Sequence, residues 1–159
     1  GRPFREAGGG GFSALSPMDI QAYVGFKLLQ CGGATTGTSG KCLQKSATNN
    51  AEMADCHFDH GSKQFTWFGK MLRCHDEVCL RRLSDENVIF DYCNNDDGVG
   101  NAAPAADMYW NFDGDTIKHV SSNKCLQCGL AGDDANTDVR MFTCDGSVYQ
   151  KWRYTIPGY

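Results

Sequence analysis

The side chains here that could do chemistry are nine cysteines, four histidines and nineteen carboxylates. Their spacing raises three chemistries. Zinc is the first: Cys56, His57 and His60 stand close together, and Cys125-x-x-Cys128 has ligand spacing. Only one such cysteine pair exists, however, and Cys56 and Cys125 also belong to a repeated pattern, so they read as disulfide partners and no metal is expected. Glycoside hydrolysis is the second, through the neighbouring acids Asp85/Glu86 or Asp133/Asp134, but adjacent acids in Gly/Asn-rich stretches are ordinary solvated turn residues. Phosphate binding at Gly40-Lys41 is the third; Thr35 stands where the loop's first glycine is required, and Cys42 follows the lysine. With no Gly-x-Ser-x-Gly, His-Glu-x-x-His or dinucleotide fingerprint, no catalytic residue and no cofactor is assigned.

Most of the cysteines instead mark an internal repeat. Cys42-Leu43, Cys79-Leu80 and Cys125-Leu126 are the three Cys-Leu pairs, and each is followed by another cysteine, Cys56, Cys93 or Cys144, after 14, 14 and 19 residues. Bridges Cys42–Cys56, Cys79–Cys93 and Cys125–Cys144 are therefore expected, each worth on the order of 3 kcal/mol in the chain-entropy account. Cys31, Cys74 and Cys128 remain. Cys31 and Cys74 hold the same place in their repeats, which His119 fills in the third. Cys128 has no counterpart and is expected to be the unpaired thiol.

The elements that position these groups are short strands. Val88-Ile89-Phe90, Val139-Arg140-Met141-Phe142 and Trp152-Arg153-Tyr154 are β-branched or aromatic runs, with Gly, Asn and Asp between them. Openers at Gly25–Gln30, Gly69–Arg73 and Gly114–Lys118 precede each Cys-Leu, and Trp67, Trp110 and Trp152, separated by 43 and 42 residues, close the units. Three all-β units of this length are too few for a propeller. A closed threefold barrel with hairpin caps fits, and it removes exposed sheet edges. The tryptophans and the Cys-Leu leucines are then its core.

At 159 residues the chain has the size of one domain, with 41% hydrophobic and 21% charged residues. A net charge of −4 gives no electrostatic footprint for a nucleic acid, and no apolar run is long enough to span a bilayer. Residues 1–19, with Gly8 to Gly11 in a row, read as a flexible linker or cloning residue outside a domain of 20–159.

Cys-Leu, then a cysteine, then a closing tryptophan, three times over, with Gln-x-Trp itself at Gln150-Lys151-Trp152, resembles the ricin B-type lectin β-trefoil, and most of all the C-terminal lectin domain of polypeptide N-acetylgalactosaminyltransferases. The likeness is carried by Cys56-His57-Phe58-Asp59-His60-Gly61-Ser62-Lys63-Gln64-Phe65, and by Ile117 to Leu126 running on to Cys144-Asp145-Gly146-Ser147. The resemblance implies a module that binds GalNAc- or galactose-type glycans or glycoproteins, in the Golgi lumen or outside the cell, with room for a catalytic domain N-terminal to it. It also implies a site geometry: an Asp after Cys-Leu, an aromatic two residues before the second Cys, a His after that Cys, and an Asn before the Gln of Gln-x-Trp. The chemistry is reasonable, because a sugar has one C–H face and a rim of directional hydroxyls.

The sequence departs from that pattern at the Asp, where Gln44, Arg81 and Gln127 stand. In the third repeat the resemblance points to Gln127, Phe142, Asp145 and Tyr149 as sugar contacts. In the first it points to Gln44, His57 and Lys63, with Ala54 in the stacking slot. The second, with Arg81, Asp91 and an inserted loop from Gly98 to Ala106, matches least. Two readings stay open: a lectin, favoured by Phe142 and His57, and a sugar-blind interaction scaffold, favoured by the missing Asp in all three repeats.

Overall fold

Short apolar runs bounded by turn residues fold as the alternation demands. The computed structural model describes residues 26–32, 41–56, 61–93, 106–129 and 137–155. Residues 1–19, expected to be a linker, His57, His60, Asp133, Asp134 and most of the Gly98–Ala106 insertion lie outside the described residues. The first unit consists of β1 (Leu28–Cys31), β2 (Cys42–Lys45), β3 (Ala51–Ala54) and β4 (Phe65–Phe68). The second is β5 (Met71–Cys74), β6 (Val78–Ser84), β7 (Asn87–Tyr92) and β8 (Trp110–Asp113). The third is β9 (Thr116–His119), β10 (Cys125–Cys128), β11 (Val139–Phe142) and β12 (Trp152–Thr155). A 3-10 turn precedes each closing strand, at Gly61–Lys63, Ala106–Met108 and Val148–Gln150. This is the all-β, threefold β-trefoil architecture expected.

Each sheet joins the last strand of one unit to the first three of the next, in the orders β12-β1-β2-β3, β4-β5-β6-β7 and β8-β9-β10-β11. The pairing of β12 with β1 ties the two ends of the chain together. Backbone bonds repeat with the same symmetry. The N–H groups of Phe65, Trp110 and Trp152 donate to the carbonyls of Lys27, Lys70 and Asp115 (2.8, 2.8 and 2.7 Å), closing each unit on itself. Around the cap, Met53 donates to Thr137, Phe90 to Asn49 and Met141 to Asp85 (2.9, 2.7 and 2.8 Å), so each hairpin binds its neighbour.

The core is made of threefold sets: Leu29/Leu72/Ile117, Leu43/Leu80/Leu126 and Met53/Phe90/Met141 are all buried. Each such side chain contributes roughly 1.5–3 kcal/mol on burial. The closing aromatics form another set, and here the first unit corrects the sequence reading. Phe65, not Trp67, is the counterpart of Trp110 and Trp152: it starts its strand, is fully buried and makes the same closing bond. Trp110 and Trp152 donate their indole N–H to the carbonyls of Leu80 and Leu126 (3.0 and 2.9 Å). Trp67 is one turn of the pleat further on, in line with Phe112 and Tyr154. It is only partly buried, 6.1 Å from the Phe112 ring, and donates to the Tyr154 hydroxyl at 2.6 Å.

Cys42–Cys56, Cys79–Cys93 and Cys125–Cys144 are bridged as expected. The expectation for Cys128 is overturned: Cys31–Cys128 is the fourth bridge, and Cys74 is the free thiol. Cys31, Cys74 and His119 do end equivalent strands, all fully buried at the seams between units. Across each seam lies the end of a Cys-Leu strand, where Lys45 and Arg82 correspond to Cys128. Only the third-to-first seam therefore brings two thiols together. The Cys74 thiol donates to the Gly61 carbonyl (3.1 Å), and burial pushes its pKa up to about 11.

Candidate functional site

Strand register decides which side chains a ligand can meet. In the third hairpin Leu126 lies opposite Met141 and both point into the core, so Cys125, Gln127, Arg140 and Phe142 share the outward face. The same parity puts Gln44, Glu52 and Ala54 on the outer face of β2–β3, and Arg81, Ile89 and Asp91 on that of β6–β7. The 3-10 turn before each closing strand borders its hairpin.

The third face places the four expected residues unequally. Phe142 is half-buried, and Asp145 is exposed, its Oδ1 accepting the Ser147 N–H at 2.9 Å. Gln127, by contrast, is covered on that face and only 6% exposed. Its amide nitrogen donates to the Gly129 carbonyl (3.1 Å), and its oxygen accepts from the buried Gln150 (3.0 Å). Gln150 also donates to the Thr143 carbonyl and accepts the Asp145 N–H, fixing the loop that carries Asp145. Tyr149 packs half-buried against the main core.

On the first face the Gln44 amide donates to the Glu52 carboxylate at 2.8 Å. Glu52 was not singled out in the sequence, yet it puts a negative charge beside the position where the resemblance expects an Asp. The signal was available: once Cys42 is opposite Ala54, Gln44 must be opposite Glu52. Lys63 is the structural counterpart of Gln150, because both end the 3-10 turn. It is buried, and its ammonium donates to the Asp55 carbonyl (2.9 Å), as Gln150 does to Thr143. His57 lies outside the described residues. The second face is closed by charge. Arg81 reaches Asp91 at 2.6 Å and Asp107 at 2.7 Å, and these bonds, with Asp107 the stronger cause, raise the guanidinium pKa.

As for metals, Cys56, Cys125 and Cys128 are all consumed in disulfides. Among the described residues no group of three His, Cys, Asp or Glu could hold an ion, and no helix is long and apolar enough to cross a membrane.

Residues 32–152, most of the chain, match the ricin-type beta-trefoil lectin domain. The chain belongs to that lectin family. A search of curated proteins gives no match. Solved structures agree on the fold. The C-half of the earthworm R-type lectin, crystallised with GalNAc, superposes with a TM-score of 0.63 at 12% identity, covering 82% of this chain and 97% of that one. GalNAc-T7 with UDP, GalNAc and Mn2+ gives 0.62 at 19% identity, over 86% of this chain but 24% of that one. A designed threefold-symmetric protein, ThreeFoil, gives 0.60 at 19% identity, covering 82% and 98%. This ricin-type domain is thus a carbohydrate-binding fold, and its four disulfides suit an extracellular or secretory-lumen setting.

Proposed function

We propose that this lectin domain binds a GalNAc- or galactose-type glycan on its third hairpin face, with Phe142 as the stacking wall and Asp145 as the hydroxyl acceptor. One observation carries the reading: Phe142 projects outward from β11 beside a loop that holds an exposed carboxylate. Gln127 and Tyr149 complete the candidate set, Gln127 held by Gly129 and Gln150 and Tyr149 packed against the core. Gln44 and Glu52 make the first face the second candidate, with a charged acceptor but no aromatic at Ala54. A site this sparse binds weakly, near millimolar or ~4 kcal/mol, so function relies on avidity through a multivalent glycan or a tethered domain. The similarity to GalNAc-T7 supports a role as the accessory lectin of an O-glycosylation transferase in the Golgi.

The second reading, a sugar-blind scaffold, is favoured by the Arg81–Asp91–Asp107 network and by the engagement of Gln127. Titrating GalNAc against wild type, Phe142→Ala and Asp145→Asn, with folding checked by thermal melting, separates the two. Binding that is lost in folded Phe142→Ala supports the third face. Binding unchanged in that variant removes it, and a wild type silent to tens of millimolar sugar favours the scaffold.

A further inference from the structure

Away from the three hairpin faces, the seam between the first and second units carries a cleft that the trefoil symmetry does not require. Five large hydrophobic side chains among the described residues are exposed, and two of them, Phe68 (49%) and Tyr92 (82%), line the same cleft. It measures about 550 Å³ and is completed by Arg73 and Glu77. An adjoining cleft of about 620 Å³ shares Arg73 and Glu77 and adds Asp76, paired with Lys45 at 3.7 Å, together with Phe26 and His75, whose rings lie 4.6 Å apart. Both volumes fall in the ~300–1,000 Å³ range of small-molecule sites.

The internal repeat shows which of these residues the fold itself needs. Phe68 ends β4 where Asp113 and Thr155 end the equivalent strands. Tyr92 precedes its hairpin's second cysteine, as Asp55 and Thr143 do in the other units. Two of three copies therefore carry polar residues at both places, so the barrel and the cap close without aromatics there. Glu77 adds an independent sign. It lies two residues before Cys79 with φ at +71°, a left-handed conformation held in the third unit by Asn123 at +62°. Asparagine tolerates that region, whereas glutamate is disfavoured there. The turn accepts this cost and sets the carboxylate 3.5 Å from the Arg73 guanidinium.

Exposed and tilted rings beside two ion pairs, Arg73 with Glu77 and Asp76 with Lys45, make a surface with apolar walls, directional donors and acceptors, and balanced charge. We propose that this seam is a second glycan site, separate from the hairpin faces, which takes a neutral oligosaccharide of at least two pyranoses. One sugar stacks on Phe68 and Tyr92, the next lies toward Phe26 and His75, and Arg73 and Glu77 hydrogen-bond the hydroxyls between. A charged ligand is disfavoured, since Arg73 is already paired with Glu77 and Asp76 with Lys45. The proposal does not depend on the reading of Phe142.

The test is NMR titration of the whole chain with lactose and with N,N′-diacetylchitobiose, following Phe68, Tyr92 and Phe142. Phe68 and Tyr92 signals are expected to shift together with at least one probe. Tyr92→Ala, an exposed substitution whose folding is checked by melting, weakens that response about tenfold, the effect of losing one stacking ring, and Phe142→Ala leaves it unchanged. The proposal is overturned if neither probe moves Phe68 or Tyr92 at tens of millimolar. It is equally overturned if Tyr92→Ala leaves the response intact, or if these signals follow protein concentration rather than sugar, which marks self-association.

Discussion

Replacing Lys45 by cysteine puts a thiol across the first-to-second seam from Cys74, where the third-to-first seam has its natural bridge. Lys45 ends β2 as Cys128 ends β10, and Cys74 ends β5 as Cys31 ends β1. The natural pair spans 6.4 Å between Cα atoms. The new bridge would enclose 29 residues of sequence. In the chain-entropy account that loop stabilises by about 3.6 kcal/mol. Against it stands the loss of the Lys45–Asp76 ion pair, 3.7 Å long and partly exposed, costing about 1 kcal/mol. The net gain of about 3 kcal/mol corresponds to a Tm rise of roughly 6–12 °C for a domain of this size. Calorimetry with and without reductant, beside a Lys45→Ala control, reads the change, and non-reducing peptide mapping identifies the bond. A map in which Cys74 stays free would refute the equivalence of the seams, as would a formed bridge that leaves Tm unchanged.

Three further outcomes follow from the same geometry. Lys124, then Arg82, hold the Asp85 carboxyl below its ordinary value of 3.8. Their stabilisation is therefore complete above that value and is lost as pH falls through the lowered pKa. Asp85→Asn should cost about 1 kcal/mol at neutral pH and converge with wild type in acid; parallel urea curves across pH would contradict this. Cys74, buried and with its pKa raised to about 11, should resist thiol reagents at mildly alkaline pH and react as a single thiol per chain after denaturation. Rapid native labelling would count against its burial. Lys63→Ala, which strips the Asp55 carbonyl of its donor, should cost about 1–3 kcal/mol, while Lys63→Gln recovers part of it by copying Gln150; a neutral alanine variant in urea melts would reject that pairing.

The threefold plan was legible because the Cys-Leu pairs and their second cysteines mark the cap hairpins, and all three predicted bridges lie within single hairpins. The closing aromatic of the first unit was misread by two residues. Strand side chains alternate with period two, so a slip of two keeps Trp67 on the same face as Phe65, and the apolar pattern alone gives no warning. Cys31–Cys128 was hidden for a different reason. It joins residues 97 apart across a seam, where one thiol comes from each unit, so the lack of a counterpart for Cys128 says nothing about its pairing. At the site, Phe142 could be placed by its distance from Cys144. The burial of Gln127 could not, because it depends on Gln150 reaching it from the 3-10 turn and on the Gly129 carbonyl just past its strand. Glu52 was missed because it acts from the partner strand of the residue under scrutiny.

The most direct measurement is a titration of isotope-labelled protein with GalNAc, following backbone amides on all three hairpin faces. The account predicts saturable shifts, with a Kd near millimolar, concentrated at Phe142, Asp145 and Gly146, while Arg81, Asp91 and Asp107 stay still. Shifts centred on the second face, or none anywhere at tens of millimolar GalNAc, would contradict it.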